Sequence, residues 1–480
     1  MIEIGIFHNG AADLPTKVTA DGTVVNDGDL EATHQAAQRG LINQVRQGIL
    51  ADQLGYDYFF MTEHHFQPEG AEYSPNPLLA EAAIASRTKR IRLGQLANII
   101  TWWHPIRFAE QVAMLDVISG GRVECGIGRG YQPREAEVFG QAYGSTIQDQ
   151  ERNRASYEEA YEIIEKAWTQ PSMSHHGERF SIPPSYTRWN HRQTNAYFSQ
   201  PGVGRTLEEV VKVGPPDMYS GGNPVLATTS KLLEIPVYPQ PLQKPHPQIW
   251  EPITSERSTR WAAGKGVNAY FIVEPSSRIR MMIEMYYDEA AKNGWPDRLN
   301  RGQFKFGWDA QKHRGVVTCR YIHVVEKGLG DLDRAARAME LQWDYYGPFG
   351  FAAVLAEADE PYYDLNMKVT ADLLRKKEVA IHGSKQEVID KIMKIKQVCG
   401  YDDFMFNAWF ELGGFEGAEI EAQMQFFAEE IAPVLRRECG GSPEYPASSV
   451  DLDVFANGIS GNGASTGTGK RQAMAGQAGA

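Results

Sequence analysis

Short apolar runs alternate along the chain with longer stretches in which apolar residues recur every three or four positions. A short apolar run is typical of a buried strand, and the longer spacing is typical of a helix with one buried face. Eight strand-like runs occur, namely IEIGIF, YDYFFM, RIRLGQLANII, RVECGIG, PQIWEPI, NAYFIV, GVVTCRYIHVV and DDFMFNAWF. Since helix-like stretches follow them, the pattern predicts eight βα units.

The ends of several helices can be predicted from glycine and proline. In QRGLINQVRQGILADQLG the apolar positions share one face, and Gly55 is placed to end the helix. PIRFAEQVAMLDVIS opens with Pro105, which is favoured in a first helical turn, and is followed by Gly120 and Gly121.

Eight βα units favour an α/β protein built as a closed (β/α)8 TIM barrel over an open, doubly wound sheet. We predict one barrel domain over residues 1–439, with insertions at about 9–31 and 182–247. The second insertion is rich in proline and shows no clear strand, so we expect a long irregular connection that covers the mouth of the barrel. Residues 440–480 are rich in Gly, Ser and Ala, which predicts a disordered tail.

Charge and composition exclude several classes of partner. The 480 residues carry a formal net charge of -13 without a long Lys/Arg run, which argues against nucleic acid or an anionic membrane as a ligand. No run of about 18 apolar residues is present, and the first residues form a strand-like run instead of a secretory signal. The four cysteines show no metal-binding spacing. We therefore expect a cytoplasmic protein with reduced thiols.

The segment FFMTEHHFQPEG places candidate chemistry at the end of the second predicted strand. In a barrel, Glu63, His64 and His65 would lie at the C-terminal face, where barrel enzymes assemble their active sites. Metal binding, proton transfer and a structural role are all possible for the two imidazoles. Adjacent residues on an extended segment point to opposite faces, so we predict no metal site here.

Several motifs together resemble the bacterial luciferase-like family of flavin-dependent monooxygenases. They are EHHF, the pattern HPIRFAEQVAMLDVISGGR, GIGRG and a closing FG, and the similarity resumes at KPHPQIWEPITSERSTRWAAGKG and VAIHGSKQEVIDKIMKIKQVCGYDDFMFNAWF. The resemblance covers most of the predicted barrel and neither insertion. It implies an enzyme that uses reduced FMN and dioxygen.

The resemblance also implies roles for individual residues. His64 matches the active-site histidine that acts on the flavin peroxide intermediate, while His65 has at most a supporting role. The positions expected to bind the cofactor are Leu96, Ala97, Asn98, Arg129, Gly130, Arg154, Ser255 and Ser258. Among these, the Leu96-Ala97 bond matches a non-prolyl cis peptide under the flavin ring, and the arginines and serines match the phosphate site. Gly128 stands where some luciferases have a reactive cysteine, so we expect no thiol chemistry there.

The chemistry of these residue types agrees with the resemblance. Arginine supplies a fork of charged donors, and a serine at a helix start adds a hydroxyl and backbone N–H groups for a phosphate. Histidine, with a pKa near neutrality, can donate or accept a proton during oxygen chemistry. Alternative interpretations remain for single residues: His64 as an ordinary strand-end histidine, Arg129 as a salt-bridged loop residue, and Ser255 as a helix cap. Tyr131 occupies the third glycine position of a dinucleotide fingerprint, which makes a Rossmann site a poor match.

The resulting hypothesis is a monooxygenase that inserts one oxygen atom of dioxygen into a small apolar organic substrate. A separate flavin reductase would deliver reduced FMN, and we expect a homodimer or a higher homo-oligomer. Two alternatives are a deazaflavin-dependent oxidoreductase that transfers hydride and a non-catalytic flavin-binding barrel. The sequence does not identify the substrate.

Overall fold

The structure of the protein is a computed structural model. It describes residues 1–189, 191–198, 200–203, 209, 211–218, 221–222, 228–294, 315–401, 403–450 and 452.

Eight parallel strands close into a barrel. They are β1 (Ile2–His8), β2 (Tyr58–Met61), β3 (Arg92–Gln95), β4 (Val123–Gly128), β5 (Gln248–Pro252), β6 (Asn268–Phe271), β7 (Val316–Val324) and β8 (Phe404–Trp409). Each strand pairs with the next in the chain, and β1 pairs with β8, so no edge is left open. All eight strands coincide with predicted runs, and the predicted TIM barrel is confirmed.

The helices follow the strands around the barrel. Their bounds are α1 (Leu30–Gln53), α2 (Pro77–Ala85), α3 (Pro105–Ser119), α4 (Pro133–Phe139), α5 (Gln150–Thr169), α6 (Arg192–Phe198), α7 (Glu256–Lys265), α8 (Ser276–Lys292), α9 (Leu332–Tyr346), α10 (Ala371–Lys376), α11 (Lys385–Cys399), α12 (Gly417–Phe426) and α13 (Ala432–Glu438). Helix α3 has the predicted bounds. Helix α1 begins earlier than its apolar pattern indicated, because the Asp29 carboxylate caps it by accepting from the Ala32 N–H at 2.8 Å.

Large aromatic side chains fill the inside of the barrel, and glycines make room for them. Phe60 lies edge-on to Trp250 and Tyr270, with ring centroids 5.9 and 5.3 Å away. A Cβ atom added at Gly94 on the neighbouring strand would lie 2.3 Å from the Phe60 ring. The barrel is therefore a packed core, and ligand space is left only at its ends.

The segment 182–247 differs from its prediction. Its described residues form a three-stranded antiparallel sheet from Arg188–Trp189, Lys212–Met218 and Thr228–Glu234. Two prolines, Pro215 and Pro216, lie in the strand Lys212–Met218, which pairs on one side only. Proline is tolerated on such an edge strand because its missing N–H faces no partner, so the prolines did not exclude a strand here.

Shorter strands lie outside the barrel ladder. The first insertion contains the hairpin Thr16–Val18 and Val24–Asn26, and a second hairpin joins His175–His176 to Ser181–Ile182. The short strands Asn98–Ile99 and Ala380–Gly383 pair in parallel with the C-terminal parts of β4 and β7.

The start of the predicted disordered tail is ordered. Residues 440–450 pass under the N-terminal end of the barrel, where the Ile2 N–H donates to the Gly441 carbonyl at 2.9 Å. The Tyr445 hydroxyl contacts Glu3 and the Tyr58 hydroxyl, and the Arg92 guanidinium lies over the Tyr445 ring. The Gly/Ser/Ala-rich composition of residues 440–480 gave no indication that Tyr445 would attach this segment to the barrel. Residues 451 and 453–480 lie outside the described part of the chain, and no helix within that part is long and apolar enough to span a bilayer.

Candidate active site

A cavity of about 210 Å³ opens at the carboxyl ends of the barrel strands. The regions after β1 to β7 contribute to it, together with Trp409 at the end of β8. The lining residues are Phe7, Asn9, Thr62, Glu63, His64, Glu72, Leu96, Ala97, Ile99, Gly128, Arg129, Gly130, Tyr131, Glu251, Pro252, Thr254, Ser258, Ile272, Val273, Trp343, Tyr346, Phe351 and Trp409. Described residues of the 182–247 insertion take no part in this lining, so they do not support the expectation that this segment covers the mouth.

One end of the cavity is cationic. Arg129 and Ser258 line it, and Ser258 lies in the first turn of helix α7. Arg154 is buried on α5, and its Nη1 has no hydrogen-bond partner among the described residues; its nearest carboxylate is Glu158, at 3.8 Å. Burial and repulsion from Arg129 and Arg257 lower the pKa of Arg154. Positive charge is therefore concentrated here, as an anion such as a phosphate requires.

Glu251 is a buried carboxyl group at the same end of the cavity. Burial raises the pKa of Glu251, the positive charges of Arg129 and Arg154 oppose this rise, and the pKa settles at about 8. The side chain is therefore mostly protonated at neutral pH and leaves the positive charge of the two arginines uncompensated.

Ser255 and Ser258 occupy different places at the start of α7. Ser255 is the N-cap residue, and its hydroxyl accepts from the Ser258 N–H at 3.3 Å. Ser258 is buried and lines the cavity, whereas Ser255 does not. The structural alternative for Ser255, a helix cap, is therefore present in the fold; cofactor binding by both serines stays a prediction.

Leu96 and Ala97 form an apolar part of the cavity wall. The Leu96-Ala97 peptide bond is cis, as the sequence predicted, and both residues line the cavity. Gly128 faces this bond so closely that an added Cβ would lie 3.1 Å from the Ala97 Cβ. Gly130 has a φ of 75°, and an added Cβ there would lie 2.7 Å from the Trp102 ring. Any side chain at these two glycines would displace the surface on which a ring system could lie.

Asn98 does not line the cavity, although the sequence placed it among the cofactor-binding residues. Its side-chain amide is fully buried and donates to Gln95 Oε1 at 2.9 Å and to the Gly126 carbonyl at 3.0 Å. The short strand Asn98–Ile99 pairs with β4, and this pairing turns the Asn98 side chain toward the barrel wall. Its role in the structure is to tie β3 to β4.

His64 stands in the cavity wall between two buried carboxylates. Its Nδ1 lies 3.3 Å from Glu72 Oε2 and 3.4 Å from Glu135 Oε1. Burial by itself lowers the pKa of His64. The two carboxylates raise this pKa by more than burial lowers it, and the result is a pKa of about 9. The near-neutral pKa expected from the sequence is therefore wrong. At pH 7 the imidazole is a cation that can donate a proton, and the same charge lowers the pKa of Glu135.

Glu72 also holds the surrounding side chains in place. Its Oε1 accepts from Asn9 Nδ2 at 2.7 Å and from the Tyr346 hydroxyl at 2.9 Å, and its Oε2 accepts from Gln132 Nε2 at 2.9 Å. Glu72 was not predicted from the sequence, because it lies nine positions after Glu63 in a loop without periodicity.

His65 points away from the cavity. Its ring packs against Phe139 and Trp102 at centroid distances of 4.5 and 5.8 Å, and its Nε2 lies 3.4 Å from Glu63 Oε1. Glu63 in turn accepts from the Ile99 N–H at 2.6 Å and from Trp103 Nε1 at 2.8 Å. These contacts lock the loop after β3 to the loop after β2 and agree with a supporting role for His65.

Aromatic side chains from α9, the following turn and β8 form an aromatic end of the cavity, which was not predicted from the sequence. Trp343, Tyr346 and Phe351 lie in one aromatic-rich stretch, and Trp409 ends β8. The density of aromatic residues in LQWDYYGPFGF was the available signal, since aromatic side chains so close together after a barrel strand commonly form a pocket wall.

Metal ligands and thiols are not assembled at this site. In the part of the chain that the structure describes, no group of three or more His, Cys, Asp or Glu side chains is arranged to hold a metal. Cys125 is buried in β4, and burial raises the pKa of its thiol. It is therefore a packed thiol in the barrel wall.

Comparisons with known proteins place the chain in a family. Residues 24–223 match the family described as luciferase-like monooxygenase. The chain is 32% identical over 407 residues to the alkanal monooxygenase alpha chain of Photorhabdus laumondii, covering 82% of this chain and 92% of that protein. It is 25% identical over 397 residues to the oxygenase component of the flavin-dependent trigonelline monooxygenase of Acinetobacter baylyi, covering 80% and 87%. A match of 28% identity to uncharacterized protein y4wF of Sinorhizobium fredii spans 54% of this chain and 58% of that protein.

Solved structures share the fold. Monooxygenase RslO1 from Streptomyces bottropensis superposes with a TM-score of 0.58 at 21% identity, covering 90% of this chain and 99% of that one. The oxygenating constituent of 3,6-diketocamphane monooxygenase from Pseudomonas putida, in complex with FMN, has a TM-score of 0.57 at 17% identity, covering 90% and 98%. An F420-dependent secondary alcohol dehydrogenase has a TM-score of 0.54 at 14% identity, covering 90% and 99%.

The barrel, its cis peptide and the match over nearly the whole length of an alkanal monooxygenase chain agree with the motifs of the sequence. This chain belongs to the luciferase-like monooxygenase family, and it is an enzyme of the flavin-dependent monooxygenase class.

Proposed function

We propose that the protein is the oxygenase of a two-component system, which uses reduced FMN and dioxygen to insert one oxygen atom into a small organic molecule. One observation carries the proposal: a single cavity joins a cationic end, an apolar part of the wall and a protonated histidine. The name of the A. baylyi relative, an oxygenase component, supports a separate flavin reductase as the source of the cofactor.

The residues of the cavity fit FMN. Arg129 and Ser258 of the lining would hold the phosphate, with the neighbouring buried Arg154 and the first N–H groups of α7 as further donors. The Leu96-Ala97 surface would carry the ring system, and Gly128 keeps the facing wall free of side chains. Reduced FMN supplies the electrons that activate dioxygen, one atom of which enters the substrate while the other leaves as water.

His64 is the proton donor of this proposal. Its imidazolium is held by Glu72 and Glu135, so the proton is present at neutral pH before the reaction begins. A proton is required when the oxygen–oxygen bond breaks, because the oxygen that is not transferred leaves as water. The side chain is buried, and the surrounding apolar wall limits the entry of bulk water.

The phosphate site can be tested with matched arginine variants. Arg129→Ala should weaken FMN binding by about ten- to 150-fold, the effect of losing a charged hydrogen bond worth roughly 1.5–3 kcal/mol. Riboflavin, which lacks the phosphate, should bind wild type and variant equally. Arg257→Ala is the control, because Arg257 lies at the start of α7, near the proposed phosphate site, but is exposed, pairs with Glu151 and does not line the cavity. Equal losses for riboflavin and FMN would show that the phosphate lies elsewhere.

The reaction class can be tested by titrating the purified protein with reduced FMN under anaerobic conditions and then admitting oxygen while absorbance is recorded. A delayed return of oxidised flavin, relative to free reduced FMN, is expected for an oxygenase. Reoxidation at the rate of free flavin would argue for the non-catalytic barrel.

A deazaflavin-dependent hydride transfer is the second candidate, and the fold shared with the F420-dependent dehydrogenase is the observation that favours it. Reduced deazaflavin reacts by hydride transfer and does not need dioxygen. Tight binding of F420 together with weak binding of FMN, measured by fluorescence on the same preparation, would replace the monooxygenase proposal with this one.

A further inference from the structure

The aromatic end of the cavity contains two buried donors that have no acceptor. Trp343 and Trp409 line the cavity, and each is at most 3% exposed. The indole Nε1 of each has no hydrogen-bond partner among the described residues. A buried N–H group without an acceptor costs free energy, and two of them in one cavity wall indicate that a bound molecule supplies acceptors.

The walls around these donors are flat rings. Phe7 lies edge-on to Trp409 at a centroid distance of 4.5 Å, and Tyr131 lies edge-on to Phe351 at 5.1 Å. Tyr346 contacts Phe351 at 5.3 Å. Edge-to-face and offset-stacked contacts favour another aromatic ring over an aliphatic chain of equal size.

The charges at this end are already paired. The cation of His64 faces Glu72 and Glu135, and Glu63 is held by Ile99 and Trp103. Arg129, which the proposed function assigns to the phosphate, is the only arginine among the described lining residues, and they include no lysine. A carboxylate on the ligand would meet buried carboxylates without a free cation, so an uncharged acceptor such as a carbonyl oxygen fits better.

We infer that the substrate is an uncharged planar aromatic molecule with a carbonyl or similar oxygen acceptor, which Trp343 and Trp409 bind through their indole N–H groups. This inference rests on the proposed function for the identity of the site, and it narrows the small apolar substrate of that proposal to one class. The two tryptophans are specificity-determining residues in it, and the ring of the substrate packs between the aromatic walls.

Four probes of similar size separate the contributions. Acetophenone has the ring and the carbonyl, ethylbenzene has the ring alone, octanal has a carbonyl on an aliphatic chain, and benzoate has the ring with a negative charge. Binding is measured on the FMN-loaded protein by NMR of the tryptophan indole N–H groups. Acetophenone should bind most tightly and should shift the Trp343 and Trp409 signals downfield, because a new acceptor deshields the N–H proton.

Variants assign the signals and test the donors. Trp343→Phe and Trp409→Phe should each weaken acetophenone binding about three- to tenfold, the effect of losing one neutral hydrogen bond, and should leave ethylbenzene binding unchanged. Trp168→Phe is the control, because the Trp168 N–H already donates to the Ala109 carbonyl at 2.9 Å. If one variant fails to fold, the wild-type shifts and the other variant still decide.

Octanal or benzoate binding as tightly as acetophenone would overturn the inference, and so would indole signals that do not move with any aromatic probe. Its failure is distinguishable from failure of the proposed function, because FMN binding and the oxygen reaction are measured without a substrate. A protein that binds FMN and delays its reoxidation but ignores acetophenone would retain the oxygenase proposal and lose this substrate class. The reverse result would retain the ligand class and lose the oxygenase.

Discussion

Replacing Glu72 by glutamine should remove the proton from His64 at neutral pH. The substitution keeps the size of the side chain and removes one negative charge, and it replaces one of the two accepting oxygens by an amide group that donates. In the wild-type protein two carboxylates lie 3.3 and 3.4 Å from His64 Nδ1 and hold the pKa at about 9. Charge removal should therefore act directly on the imidazolium.

The magnitude follows from the geometry. The pKa of about 9, against 6.5 for an ordinary histidine, corresponds to a net stabilisation of the imidazolium by roughly 3 kcal/mol. Each carboxylate at this distance attracts the cation by about 5 kcal/mol at an effective dielectric constant of 20, so burial must cost about 7 kcal/mol. With Glu135 alone, attraction no longer offsets burial, and we expect the pKa of His64 to fall to neutrality or below.

The assay is NMR of histidine-labelled protein titrated from pH 5 to 10, with the His64 signals assigned by their loss in His64→Gln. Glu81→Gln is a suitable control, since Glu81 is a buried carboxyl group that contacts Gln95 and is not among the groups that shift the pKa of His64. Its substitution should leave the titration of His64 unchanged. A His64 that still titrates near pH 9 in Glu72→Gln would refute the view that this pair stores the proton.

Three further outcomes are expected. His64→Ala should bind FMN normally but release hydrogen peroxide in place of product, whereas His65→Ala should mainly lower the melting temperature. A peroxide assay and calorimetry distinguish the two variants. Exchanged phenotypes would mean that the assigned strand register is wrong. FMN affinity should fall about tenfold as the pH rises through 8, because Glu251 then loses its proton beside the phosphate. In isothermal titrations, Glu251→Gln should abolish this pH dependence, and the binding of riboflavin, which lacks the phosphate, should not depend on pH. Tyr445→Ala should destabilise the barrel by roughly 2–3 kcal/mol in urea unfolding, and no change would mean that residues 440–450 are only loosely attached.

Some features of this protein follow from local patterns in the sequence. All eight barrel strands were predictable because a buried parallel strand must be apolar on both faces, which leaves an uninterrupted run such as YDYFFM. The bounds of α3 were predictable because Pro105 and Gly120 act on their own backbone. The motifs also indicated the cis peptide between Leu96 and Ala97, through their resemblance to a family.

Other features depend on contacts between distant parts of the chain. Glu72 meets His64, Asn9 and Tyr346 only after the barrel closes, so no local pattern could show that the histidine is held as a cation. Asn98 was expected at the cofactor, but pairing with β4 turned it to the wall.

The cavity also depends on contacts between distant parts of the chain. Its aromatic wall combines Phe7 from β1, Trp343 from α9 and Trp409 from β8, residues that lie between 66 and 402 positions apart. The sequence by itself determined the strands, the helix ends and the family, because each depends on neighbouring residues. The tertiary structure decided the charge of His64 and the shape of the substrate end, because both depend on which side chains are brought within a few ångströms and removed from water.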